Sequence, residues 1–213
     1  MGIGNFHTVI FDLDGTLSDS AILTMEALNI AAPKFGLPVP SEEDVRKATG
    51  NANPEFYYIL YPDYPRELVE KTGSLVEQEE LRILPAVSRK LLFEGCGDLL
   101  ASLMEQDMRL YIASTGDREH VYSILYETGI INYFSVISCN SPDKTEMLCN
   151  LTATGNRKGY VMVGDMKKDY EAARKNNILS VGACFGYCRP EHSDFDFYID
   201  KPHNLLDILR TRG

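Results

Sequence analysis

Apolar residues along this chain keep two rhythms, and the changes between them mark out its elements. A short apolar run at residues 6–11 reads as a strand. Beyond Leu17 the spacing turns helical, with Ile22, Met25, Leu28 and Ala32 recurring until Pro33 and Gly36-Leu37-Pro38 stop the run. Ser41-Glu42-Glu43-Asp44 reads as a capped helix start running towards Gly50. Asn53-Pro54-Glu55 reads as a capping Asn with Pro at the first helical position, opening a short aromatic helix to Tyr61. Tyr64-Pro65 opens another that continues past Leu75. Residues 18–90 are thus predicted to be helical, with no strand.

After Phe93-Glu94-Gly95-Cys96 the rhythm alternates. Helices are predicted at 97–106, 117–128, from Asp143, at 167–176 and near 203–210. Between them lie strands at Arg109-Leu110-Tyr111-Ile112-Ala113, near Ser135-Val136-Ile137, at Tyr160-Val161-Met162-Val163, at 178–183 and at 196–199. Strands alternating with helices imply an α/β fold around a mostly parallel sheet covered on both faces. Open sheets of that kind bind ligands at the carboxyl ends of their strands.

Composition narrows the choice. A chain of 213 residues has room for one large domain, or a core with a small insertion, and 44% hydrophobic with 24% charged residues is ordinary for a globular protein. A net charge of −10 argues against nucleic acid or an anionic membrane as partner. The five cysteines, at 96, 139, 149, 184 and 188, have no zinc spacing and read as reduced thiols of a cytoplasmic protein. No signal peptide, myristoylation pattern or membrane-length apolar run is read in it.

The candidate chemistry lies just after the apolar runs. In Phe11-Asp12-Leu13-Asp14-Gly15 a strand ends in two carboxylates on one face, whose repulsion calls for a cation or a proton between them. An Asp-Gly hairpin turn is the plain alternative. Ser114-Thr115-Gly116 offers hydroxyls and backbone N–H groups suited to a phosphate oxygen, or a simple helix cap. In Ser141-Pro142-Asp143-Lys144, with Ser141 read as the cap, the lysine sits at a helix N-terminus, where a cation opposes the dipole and a bound anion would compensate; otherwise it is a surface lysine. Asp165 and Asp169, in Gly164-Asp165-Met166-Lys167-Lys168-Asp169, are four apart at a helix start, either completing an oxygen-only site suited to Mg²⁺ or forming a solvated acidic turn.

Asp12-Leu13-Asp14-Gly15-Thr16-Leu17 resembles the first motif of the phosphatase branch of the haloacid dehalogenase superfamily, and the other three pieces follow in that family's order. Thr115 stands where Asn is more usual, and Lys144 is followed by Thr145 rather than Pro. Val181-Gly182-Ala183-Cys184-Phe185-Gly186-Tyr187 resembles a segment of phosphoglycolate phosphatase-like members. The resemblance implies a Rossmann-like core over residues 1–17 and 91–213, with a small helical cap inserted over 18–90. It implies an Mg²⁺-dependent phosphatase acting on a small phosphorylated metabolite, as a monomer or homodimer. Asp12 would be the nucleophile and Asp14 the general acid/base. Ser114, Thr115 and Lys144 would bind phosphate, and Asp12, Asp14 (through its main-chain carbonyl), Asp165 and Asp169 would serve the metal.

The cap would exclude water and select the leaving group, with Arg46 and Gly50 resembling its substrate-facing segment. Phe56, Tyr57, Tyr58, Tyr61 and Tyr64 read as packing between cap helices, or else as a substrate wall better suited to a sugar or base than to glycolate. His7, His120, His192 and His203 read as surface or structural residues. Rival readings are a nucleotidase, a pyrophosphatase, a sugar-phosphate mutase, phosphonate cleavage through Lys34, Lys47 or Lys71, and a silent binding protein on the same fold.

Overall fold

A computed structural model describes residues 6–212; residues 1–5 and 213, at the ends of the predicted core, lie outside the described residues. Six strands form one parallel sheet in the order β3-β2-β1-β4-β5-β6. They are β1 (Thr8–Phe11), β2 (Arg109–Ala113), β3 (Val136–Ser138), β4 (Tyr160–Gly164), β5 (Leu179–Ala183) and β6 (Phe197–Ile199). The period-two alternation of strand side chains explains how both faces come to be covered. Val9, Phe11, Leu110, Ile112, Val161 and Val163 point into one apolar core, shared with α5 (Cys96–Glu105), α6 (Arg118–Glu127) and α9 (Asn204–Arg212). Their neighbours Ile10, Tyr111, Ala113, Tyr160 and Met162 point the other way, onto α7 (Lys144–Leu151) and α8 (Lys167–Asn176).

Strand order reverses at β1, which pairs with β2 on one side and β4 on the other. Such a switch point leaves a crevice at the carboxyl ends, and Asp12, Ser114 and Asp165 each follow directly on the last residue of one of these three strands.

Between β1 and α5 the chain makes α1 (Ser20–Lys34), α2 (Glu42–Ala48), α3 (Glu55–Leu60) and α4 (Arg66–Val87). Their own core gathers Ala27, Leu28, Ala31, Val45, Tyr57, Tyr61, Val69 and Val76. Small residues on α1 let α4 approach, and Gly73 in the middle of α4 admits the Tyr57 ring: a Cβ there would lie 2.6 Å from it. A mid-helix glycine costs about 1 kcal/mol, which the burial of an aromatic ring offsets.

Three local details differ from the sequence reading. Helix α1 runs on through Pro33 to Lys34. Asn53 does not cap α3; its amide donates to Glu77 on α4 at 2.7 Å. The cap of α7 is Asp143, whose carboxylate accepts from the N–H groups of Thr145 and Glu146. Among the described residues no helix is long and apolar enough to cross a membrane, and the five cysteines are free thiols.

Candidate active site

Lys144, the first residue of α7, is 3% exposed, and its ammonium lies 2.8 Å from Asp12 Oδ2 and 2.6 Å from Asp169 Oδ1. A cation so deeply buried requires partners of opposite charge. Burial alone would lower its pKa, but Asp12 and Asp169 raise it. The two carboxylates reach it from different elements, one from the end of β1 and the other from the first turn of α8. The other oxygen of Asp169 accepts from the N–H groups of Asp165 (3.1 Å) and Met166 (2.9 Å), closing the start of α8 from inside. Asp165 and Asp169 are therefore buried, not the rim of a solvated turn.

Asp12 Oδ1 accepts from the Leu13 N–H at 2.8 Å, which fixes the carboxylate plane. Asp165 Oδ1 accepts from the Thr16 hydroxyl at 2.9 Å, while its Oδ2 is buried with no hydrogen-bond partner. Burial drives the carboxyls of Asp12 and Asp165 above the usual range; Asp169 adds to both shifts and Asp12 to that of Asp165. Three carboxylates against one ammonium leave this cluster net negative.

Oxygen atoms of Asp12, Asp165 and Asp169 lie within 4.8 Å of one another. This all-oxygen set, with one orphaned carboxylate oxygen, fits a hard divalent cation. Gly15, at φ +79°, keeps the approach narrow, since a Cβ there would meet Asp165 Oδ2 at 2.6 Å.

The Asp14 carboxylate is not one of this group and has a different partner. Its Oδ1 lies 3.0 Å from Nε2 of His120, whose Nδ1 lies 3.7 Å from Glu80 of α4. Glu80 in turn accepts from the Thr24 hydroxyl of α1 at 2.6 Å. Burial would raise the Asp14 carboxyl, yet His120, with Ser20 and Lys144, holds it below the usual range. Burial would lower the His120 imidazole, but Asp14 and Glu80 lift it well above its usual value. His120 is therefore not a free surface residue: it joins a sheet-end carboxylate to a carboxylate of the helical layer.

The signals for this relay were faint. Glu80 occupies a position in the buried stripe Val69, Val76, Leu84 of α4, where an apolar residue is expected. His120 precedes the apolar set Val121, Ile124, Leu125 of α6. Each is a polar residue on a packed face, which requires a partner.

The Ser114 hydroxyl oxygen accepts from the Gly116 N–H at 3.1 Å, keeping its own proton for another acceptor. The Thr115 hydroxyl donates to the Gly50 carbonyl at 3.0 Å, so its proton is turned to the helical layer. Arg46 does not face the cavity: it pairs with Asp19 at 2.9 Å and Glu42 at 2.7 Å, over the Tyr187 ring. Tyr187 donates to Asp19 at 2.6 Å, and its N–H reaches the Gly15 carbonyl at 2.9 Å.

From Asp14 and Thr115 a cavity of about 170 Å³ runs between the sheet ends and the helical layer, with Gly50, Phe56 and Tyr57 among its walls. Tyr58, Tyr61 and Tyr64 lie outside it.

The sequence profile of the haloacid dehalogenase-like hydrolases matches residues 9–183. A phosphoglycolate phosphatase of Synechococcus elongatus is 32% identical over 95% of this chain and 97% of its own length. The pyrophosphatase PpaX of Listeria monocytogenes is 27% identical, covering 97% of this chain and 98% of its own. Among solved structures, a predicted phosphoglycolate phosphatase from Haemophilus somnus superposes with a TM-score of 0.83 at 21% identity, over 97% of this chain and 99% of its own.

Proposed function

The chain belongs to the haloacid dehalogenase-like hydrolases and is a phosphatase, and from that premise we propose that it hydrolyses a small phosphate monoester through an aspartyl-phosphate on Asp12, with Mg²⁺. The observation that carries this reading is the position of Lys144, locked between Asp12 and Asp169 beside the unpaired oxygen of Asp165. A binding protein has no need of such a cluster together with a separately held Asp14.

Asp12 attacks phosphorus in line, forming its own O–P bond as the bond to the leaving oxygen breaks. Asp14 passes to the leaving oxygen a proton drawn from the His120 imidazolium, then takes one from the water that attacks the aspartyl-phosphate and releases inorganic phosphate. Lys144 offsets charge on the nucleophile and the phosphoryl oxygens, and the Ser114 hydroxyl with the Thr115 N–H grips those oxygens. His120 holds the Asp14 carboxylate towards the cavity. Mg²⁺ would be held by the side chains of Asp12 and Asp165 and the main-chain carbonyl of Asp14, with Asp169 beside them, and would supply further neutralisation of phosphoryl charge.

Residues 18–90 act as a cap over a core that takes in 6–17 and 91–212 of the described residues. The cavity supports a small leaving group, since ligand pockets for larger molecules begin at roughly 300 Å³ and this one holds about 170 Å³. The test is Asp12→Asn with p-nitrophenyl phosphate: turnover is expected to vanish while the melting profile stays cooperative. Activity near that of the unaltered protein removes Asp12 as nucleophile.

A further inference from the structure

The cavity wall opposite the phosphoryl site is acidic, and the His120 imidazole is its one basic group. Glu77 and Glu80 face it from α4, and Asp117 and Glu119 from the start of α6. No lysine or arginine among the described residues lines it. Its single imidazole, His120, is already engaged by Asp14 and Glu80.

The wall's charge is not cancelled from behind. Glu77 accepts only a neutral amide, that of Asn53, at 2.7 Å. Burial, with Asp117 and Glu80 nearby, pushes its carboxyl up. Asp117 caps α6 by accepting from the His120 N–H at 2.9 Å. The buried Tyr57 hydroxyl lies among the same charges: burial first, then Glu80, Glu77 and Asp117, raise its pKa. Phe56 and Tyr57 add aromatic surface to this end of the cavity. Carboxylates at the mouth of a low-dielectric cavity attract a cation and repel an anion. Aromatic faces beside them add to the attraction for an ammonium group.

We propose that the leaving group of the physiological substrate carries an amine or ammonium, so that the substrate is the phosphate ester of a small amino alcohol and not of a hydroxy acid. The ester oxygen would lie at Asp14 and the cationic end against Glu77 and Asp117. A carboxylate in that place would meet at least three others of its own sign. The preference is thus set by the residues facing the leaving group, while those facing phosphorus accept any monoester. This proposal rests on the phosphatase reading and refines it.

The experiment compares kcat/KM for O-phosphoethanolamine, glycerol 3-phosphate and 2-phosphoglycolate with Mg²⁺, using p-nitrophenyl phosphate as a reference that makes no demand on the acidic wall. The expected order is amino-alcohol ester first, neutral ester next and carboxylate ester last, with at least tenfold between the ends. Glu77→Lys is expected to shrink or invert that ratio by roughly tenfold or more, and Glu77→Gln by less, in proteins whose melting shows they fold. Turnover of p-nitrophenyl phosphate with 2-phosphoglycolate preferred, or with the three esters equal, overturns the amino-alcohol proposal and leaves the phosphatase reading standing. A ratio unmoved by Glu77→Lys in a folded protein also overturns it. No turnover of any ester, the aryl phosphate included, takes down both.

Discussion

At the sheet end of the cavity the carboxylates are tied down by one buried ammonium and the backbone: Lys144 is held by Asp12 and Asp169, and Asp169 by two backbone N–H groups, leaving one oxygen of Asp165 unpaired. At the helical end four carboxylates share one imidazole, and Glu77 has only an amide for company. The first arrangement is rigid and closed, because buried charges survive only when paired. The second is open and underneutralised. The same protein thus keeps a fixed constellation for a group common to all phosphate esters, and leaves its adaptable charge for the part that differs. The comparison predicts that damage at the sheet end abolishes turnover, whereas damage at the helical end redistributes it among substrates.

Lys144→Met is the largest test of that contrast. It leaves Asp12 and Asp169 buried without their cation, at a cost of about 3–5 kcal/mol, or a fall in Tm of roughly 10 °C. Because the same ammonium faces the phosphoryl oxygens, kcat on p-nitrophenyl phosphate is expected to fall about a thousandfold. A variant that melts early but turns over normally would reduce Lys144 to a structural ion pair.

His120→Asn probes the seam between the two ends. Losing the partner that orients Asp14 should lower kcat about a hundredfold for an alkyl phosphate, whose leaving oxygen needs a proton. For p-nitrophenyl phosphate, whose leaving group departs without one, the loss should be several times smaller. Equal losses on both esters would show that His120 merely supports the fold.

The two ends also differ in how far the chain itself discloses them. Asp12 and Asp165 are visible because each ends an apolar run, and the two-residue alternation of β1 and β4 sets which way the chain emerges. The sheet was legible for the same reason, with β2, β4 and β5 fitting the predicted runs to within a residue or so at either end. The acidic wall was not legible. It is assembled from single positions on α4 and α6, whose faces meet only after the helices dock, and no spacing within either helix announces a shared cavity. Ser141 and Asn53 misled for a related reason. Several residues near a helix start can cap it, and the nearest Asp143 or a distant Glu77 decides which does what.

Metal removal sharpens the sheet end without reference to activity. After chelation, adding Mg²⁺ alone is expected to raise Tm by several degrees, since a ligand that binds only the folded state stabilises it by mass action. Asp165→Asn should abolish most of that rise, because it replaces the one carboxylate that has an oxygen to spare. A rise of equal size in the variant would place the cation elsewhere.

The smallest effect is expected where the two ends touch. Thr115 lies on the sheet side, one residue after Ser114, yet its hydroxyl proton points to the Gly50 carbonyl in the helical layer at 3.0 Å. Thr115→Val keeps the shape and the N–H while deleting that hydrogen bond, leaving the carbonyl short of a donor at a cost of about 1 kcal/mol. A loss of that size shifts Tm by roughly 2–4 °C in a chain of this length. If the hydroxyl serves to seat the helical layer over the site, KM should rise a few-fold with kcat almost unchanged, because the phosphoryl constellation behind it is intact. A hydroxyl that gripped phosphate in the transition state would give the opposite split, kcat falling tenfold or more at constant KM. Gly50 sits at φ +86°, and a Cβ there would lie 3.2 Å from Met166 Cγ, so Gly50→Ala would disturb the same contact from the other side. Matching KM effects from the two substitutions would make this contact the point at which the helical layer reads the state of the sheet end.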